Sequence, residues 1–249
     1  MTKIAIIGGS GLESPDILNS PEKKQVETPY GIPSSSLLFG KIRDREVVIL
    51  SRHGFDHTIP PSQVNNRANL YALKEAGCSH ILATTACGSL RDEIRRGDIV
   101  IPDQFIDFTR HREITFHEEF LHDTMGHTPM ADPFDHILRK LIIEACKKMH
   151  IKVHEKGTVI TIEGPRFSTR AESNLFRLWG ADIINMSVAP EVILANELGI
   201  PYATIAMSTD YDSWKSDESP VTWEGVISVF NRNVSNVLLL LKSVIPAIS

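Results

Sequence analysis

The stretch ANLYALKEAGCSHILATTACGSL, residues 68–90, decides the fold class. Its first part, Ala68–Ala76, carries apolar residues at helical spacing and is closed by Gly77, a residue that tolerates the left-handed backbone of a helix end. Its second part, His80–Ala86, is a short apolar run that reads as a strand, followed by a Gly-Ser turn. Upstream, Lys3–Gly8 reads as a buried strand ending in glycine. Ser36–Phe39 and Glu46–Ser51 read as a strand pair with no helix between them. Downstream the same alternation continues. Ile99–Ile101 reads as a strand, Phe134–Met149 as a helix and Gly157–Ile162 as a strand. Thr169 and Glu172 make a capping box that opens a helix running to Trp179, with Gly180 as its stop. Asp182–Met186 reads as a strand, and Pro190 sits in the first turn of a helix that ends before Gly199. Tyr202–Met207 is a strand and Trp223–Val244 a long closing helix. Strands alternating with helices predict an α/β protein, and the early strand pair predicts a mixed central sheet flanked by helices. With no repeat, low-complexity tract or linker, a single domain over residues 1–249 is expected.

Composition narrows the function classes. The chain is 42% hydrophobic and 23% charged, ordinary for a globular protein. A net charge of −5 leaves no electrostatic footprint for nucleic acid or an anionic membrane. No apolar run reaches the roughly 20 residues of a membrane helix. The three cysteines, Cys78, Cys87 and Cys146, form neither a disulfide framework nor a Cys-x-x-Cys metal pair, which predicts a reducing, cytoplasmic location.

Several strand ends carry chemistry. Gly8-Gly9-Ser10-Gly11 follows a strand and offers backbone N–H groups and a hydroxyl to an anion. It is no dinucleotide fingerprint, because Ser14 stands where the third glycine is needed. Arg52 and His53, with His57 close behind, bring a planar fork of donors and a proton-shuttling ring to another strand end. Thr84-Thr85-Ala86-Cys87 and Asn185-Met186-Ser187 end two more strands in small polar groups, where α/β sheets bind ligands. Asp210 and Asp212 are spaced for acid/base work. Asp107–Asp132 has no periodicity, which marks a functional loop. It holds His111, His117, His122 and His127, but His117 and His122 are one residue too far apart for the zinc helix motif. No metal site and no covalent nucleophile is expected. Cys87 reads as a packed thiol.

Six motifs taken together resemble the trimeric purine nucleoside phosphorylases: Ile6-Ile-Gly-Gly-Ser-Gly-Leu12, Ser51-Arg-His-Gly54, Thr84-Thr-Ala-Cys-Gly-Ser-Leu-Arg91, Thr161-Ile-Glu-Gly-Pro-Arg-Phe-Ser168, Asn185-Met-Ser-Val-Ala-Pro-Glu-Val192 and Thr209-Asp-Tyr-Asp212. The resemblance implies a single-domain phosphorylase/hydrolase-like fold, a homotrimer, and reversible phosphorolysis without a cofactor, inorganic phosphate being a co-substrate. It implies a phosphate site of Ser10, Arg52, His53, Thr85, Ala86 and Ser187. Met186 is then expected under the ribose, Phe167 against the purine, and Asp210 and Asp212 at its N7 and exocyclic-amine edge. His127 is expected to reach a neighbouring subunit's substrate, and Val221 and Trp223 to close the 5′ pocket. Family members for 6-oxopurines carry Asn and Glu where this chain has Asp210 and Ser168. An ionised carboxylate accepts but cannot donate, so the expected base is a 6-aminopurine; the resemblance implies S-methyl-5′-thioadenosine as the substrate. A 6-oxopurine nucleoside or S-methyl-5′-thioinosine phosphorylase, and a non-catalytic purine-binding protein, are the alternatives.

Overall fold

One long strand, β5 (His80–Ser89), organises the sheet. The computed structural model describes residues 2–8, 17–119, 126–218 and 221–249, with Trp223 and Arg232 as backbone alone. Around β5 lie β1 (Lys3–Gly8), β2 (Asn19–Lys24), β3 (Leu37–Ile42), β4 (Arg45–Ser51), β6 (Ile99–Val100) and β7 (Gln104–Phe108). Later in the chain come β8 (Val153–His154), β9 (Thr158–Ile162), β10 (Ile183–Asn185) and β11 (Tyr202–Tyr211). The helices are α1 (Asn66–Glu75), α2 (His136–Lys148), α3 (Arg170–Leu178), α4 (Val188–Glu197) and α5 (Trp223–Val244).

The main strand order is β2-β3-β4-β1-β5-β10-β9-β7, with β11, β6 and β8 branching from β5. β1 runs parallel to β5 and pairs Ile4–Ile7 with His80–Ala83. β10 takes up the same edge further on, antiparallel, at Gly88 and Ser89. β11 runs parallel along the other edge from Ile81 to Ser89. The sheet is therefore mixed, as the early strand pair predicts; β3 and β4 form that pair as an antiparallel hairpin.

Alternation along the buried strands sends side chains to two helical layers. Ile4 and Ile6 join Leu138 and Ile142 of α2 and Leu240 of α5 in one core. Ala5 and Ile7 join Leu70 and Leu73 of α1 and Val188 and Val192 of α4 in the other. Among the described residues no helix is long and apolar enough to cross a membrane.

Three departures from the sequence pattern have physical causes. β5 does not turn at Gly88-Ser89 but continues through them, because β10 and β11 both hold that segment. β2 is wholly exposed and reads NSPEKK, so no hydrophobic alternation marks it. β7 occupies the start of the aperiodic segment and pairs parallel with β9, joining Asp107 to Thr161.

α3 begins as its sequence predicts. Thr169 Oγ1 accepts from the Glu172 amide at 3.1 Å, and the Glu172 carboxylate accepts from the Thr169 amide at 2.7 Å. This cap fixes the chain directly after Phe167 and Ser168. Thr169→Ala is expected to lose about 1 kcal/mol of stability, read from the urea midpoint at constant m.

Candidate active site

A cavity of about 610 Å³ opens where the sheet forks. Past Ala83, β1 no longer pairs with β5, and β10 joins only at Gly88. Among the described residues no strand covers that edge of Thr84–Cys87, so its backbone faces the cavity. Arg52, His53, Thr85, Ala86 and Ser187 line this space together with Phe167, Ser168, Met186, Asp210 and Asp212. Elements far apart in the chain thus bring ten of the sequence-predicted residues together. Ser10 lies outside the described residues, as does the side chain of Trp223. Val221 and His127 are not among the lining residues. Instead α5 presents Val226, Ile227 and Phe230, one and two turns beyond its start.

Arg52 is 3% exposed. Its Nε donates to Glu191 Oε1, its Nη2 to Glu191 Oε2 at 3.0 Å and its Nη1 to the Thr84 carbonyl at 3.0 Å. Burial opposes its charge, but Glu191 more than restores it, so the guanidinium stays charged. His53 Nδ1 stands 2.8 Å from the Ile59 carbonyl. A carbonyl can only accept, so Nδ1 carries the hydrogen and Nε2 keeps its lone pair. Burial, and then the Arg52 charge, push His53 down to about 4, so the ring is neutral at pH 7. Thr85 Oγ1 and Ser187 Oγ are 3.0 Å apart. Asn185 holds this pair: its Nδ2 reaches Thr85 Oγ1 at 3.4 Å, and its Oδ1 accepts from Thr161 Oγ1 at 2.8 Å and the Ser187 amide at 3.4 Å. Donors, a neutral imidazole and a strand edge make a cradle for an oxyanion.

A bulge in β11 sets the two carboxylates. Ser208 pairs with Cys87 and Asp210 with Gly88, leaving Thr209 over. A Cβ on Gly88 would stand 2.9 Å from Asp210 Oδ2 and 3.3 Å from Asp212 Cβ, so only glycine leaves room for these side chains. Burial first, and Asp212 after it, raise Asp210 to about 6, against a hydrogen bond from Thr209 that lowers it. Burial likewise raises Asp212, whose Oδ2 accepts from the Ser168 hydroxyl. The buried Cys87 thiol is pushed far up, by burial and then by Asp210, and is no thiolate nucleophile.

Four residues of this neighbourhood are missing from the sequence-predicted set: Glu191, Tyr202, Asn185 and Arg112. Glu191 had a visible signal, a lone carboxylate in the apolar run VAPEVILA, since a buried Glu demands a partner. Arg112 lies in the aperiodic segment. It donates to the Met186 and Glu163 carbonyls, both at 2.6 Å, and to Glu163 Oε1 at 3.2 Å. Arg112 therefore ties its part of the segment to the sheet ends beside the cavity. No group of three His, Cys, Asp or Glu residues able to hold a metal occurs among the described residues.

Residues 3–246 match the family pattern of the phosphorylase superfamily. The chain belongs to that superfamily. Among its relatives, S-methyl-5′-thioadenosine phosphorylase of Xenopus tropicalis is 54% identical over 99% of this chain and 89% of its own length. The enzyme of the same name from Ciona intestinalis is 53% identical with the same coverage. Methylthioadenosine phosphorylase from Schistosoma mansoni, in complex with adenine, superposes with a TM-score of 0.93 at 43% identity, covering 99% of this chain and 92% of its own. A mutant of the schistosome enzyme in complex with methylthioadenosine gives a TM-score of 0.92 at 42% identity, covering 99% and 91%. The superfamily membership and the mixed α/β fold accord with the motif resemblance.

The folded state holds the Asp210 proton up to about pH 6, whereas the ordinary value is 3.8. The bound proton favours folding at low pH, and this contribution is lost as pH rises through about 6. Asp210→Asn removes the penalty of burying the charge. Without ligand, the stability of that variant relative to the parent is expected to rise by about 1.5 kcal/mol between pH 5 and pH 8, read from urea midpoints. A pH-independent difference would show that Asp210 ionises normally.

Proposed function

We propose that the chain catalyses the reversible phosphorolysis of S-methyl-5′-thioadenosine to adenine and 5-methylthioribose-1-phosphate. The observation that carries this reading is one cavity lined both by an oxyanion cradle and by two raised carboxylates. Relatives of 54% and 53% identity bearing that enzyme name support it. A phosphate oxygen attacks the anomeric carbon as the bond to N9 of adenine breaks. No protein nucleophile is required, only placement of an anion against a departing base.

Arg52, Thr85, Ser187, Ser10 and the Ala86 backbone hold the phosphate. Neutral His53 accepts the O–H of hydrogen phosphate at Nε2. Met186 packs under the ribose and Phe167 against the purine. Protonated Asp210 gives its proton to N7 as electrons flow into the base, and Asp212 accepts from the 6-amino group, oriented by Ser168. A value of about 6 keeps part of the Asp210 population protonated near neutrality. Val226, Ile227 and Phe230 add an apolar wall suited to a methylthio group; the motif resemblance assigns Val221 and Trp223 to closing the same 5′ pocket. No cofactor takes part; inorganic phosphate is the co-substrate.

The chain works as a single domain and as a homotrimer, with His127 serving a neighbouring subunit's 5′ region. An apolar face on α3 and its end, with Leu175 38%, Leu178 85% and Trp179 49% exposed, supports a subunit contact there. Three buried free cysteines fit a reducing cytoplasm.

Adenine release from S-methyl-5′-thioadenosine is expected to require phosphate and to exceed release from adenosine, inosine and S-methyl-5′-thioinosine in kcat/KM. Faster phosphate-dependent release from the 6-oxopurine nucleosides would overturn the base assignment. No release from any of the four would leave a purine-binding protein. Asp210→Asn is expected to shift preference toward hypoxanthine nucleosides by roughly tenfold or more, because the amide can donate to a 6-oxo group. Light scattering is expected to give three times the chain mass; an active monomer would refute the assembly.

A further inference from the structure

The guanidinium assigned to phosphate is almost wholly enclosed by protein. Glu191 holds two of its edges, and the Thr84 carbonyl holds a third. Glu191 is itself 1% exposed and is not among the cavity-lining residues. A buried carboxylate needs further donors, and Tyr202 supplies one: its hydroxyl donates to Glu191 Oε2 at 2.9 Å. Tyr202 is 1% exposed at the start of β11, the strand that carries Asp210 at its far end. Three buried groups therefore form one chain from β11 through α4 to the loop after β4. Its last member, Arg52, opens onto the cavity.

We infer that Glu191, braced by Tyr202, is the positioning residue that aims Arg52 at phosphate. This rests on the assignment of Arg52 to the phosphate site. Two consequences follow from the geometry. First, the Arg52 charge is neutralised before substrate arrives, so phosphate meets a fixed fork of N–H donors rather than a bare cation. Second, Arg52 has no freedom to follow the anion out, so the fork stays where the attacking oxygen must stand. Glu191→Gln keeps the shape but presents an amide nitrogen to a guanidinium that can only donate. One of the two Arg52 contacts is lost and the fork turns. Tyr202→Phe keeps every charge and removes a single hydrogen bond to the brace.

The test is steady-state kinetics with phosphate and S-methyl-5′-thioadenosine varied separately. The proteins are the parent, Arg52→Gln, Glu191→Gln, Tyr202→Phe and the double variant Arg52→Gln/Glu191→Gln. Arg52→Gln is expected to raise the phosphate KM by roughly 10- to 100-fold, the range for losing charge-assisted hydrogen bonds. Glu191→Gln is expected to raise it about tenfold, with the nucleoside KM within about threefold of the parent. The double variant is expected to match Arg52→Gln alone, because Glu191 acts through Arg52. Tyr202→Phe is expected to move the phosphate KM about two- to fivefold in the same direction. An unchanged phosphate KM in Glu191→Gln, an equal rise in both KM values, or a double variant equal to the product of the singles would overturn the inference. If Glu191→Gln fails to fold, Tyr202→Phe decides: an unchanged phosphate KM there overturns it. An unchanged phosphate KM in Arg52→Gln defeats the phosphate assignment itself, a separate failure.

Discussion

Strand β5 is shared by three neighbours, and the rest of the site depends on how they divide it. β11 follows one edge for nearly its whole length, while β1 and β10 occupy opposite ends of the other. The gap between them falls at Thr84–Cys87, where no strand among the described residues pairs with that edge. Everything polar in the cavity is arranged around that opening. Arg52 arrives from the end of β4, Ser187 from the start of α4 and Asp210 from the bulge in β11.

Two electrostatic regimes share the cavity. Around Arg52, a buried cation is matched by the buried Glu191 carboxylate, and the His53 imidazole beside it is kept neutral. At Asp210 and Asp212, two carboxylates are buried with no ion pair to either among the described residues, and both are raised. In the first the charge is matched by an ion pair, and in the second the carboxyl groups hold their protons to higher pH than usual. Burial is the leading cause at His53, Asp210 and Asp212, so the depth of the cleft in the fork tunes each of them.

Much of the secondary structure was legible because its signals are local. The capping box at Thr169, the Gly77 stop and the alternation of apolar runs each depend on a few neighbouring residues. The edge strand β2 left no trace because an exposed strand needs no apolar pattern. The end of β5 was misread as a turn because Gly88 and Ser89 are turn-formers in isolation; two flanking strands overrode that preference. The residues lining the cavity were readable as hydroxyl, Arg/His and carboxylate groups at strand ends. Their supports were harder to see. Asn185 was adjacent to such residues, but Arg112 lay in a segment with no periodicity.

The sequence by itself determined the α/β class and put hydroxyl, Arg/His and carboxylate groups at the strand ends. These follow from hydrophobic period and side-chain chemistry, which are properties of residues and short spacings. Only the tertiary structure decided which partners those groups meet. It brought Glu191 to Arg52 across 139 residues and Tyr202 to Glu191 across a helix. It placed Gly88 under Asp210 and added Val226, Ile227 and Phe230 to the cavity wall. The reason is physical: a buried charge must be matched and a buried side chain must find room. Both conditions are set by neighbours in space, which the fork of the sheet selects.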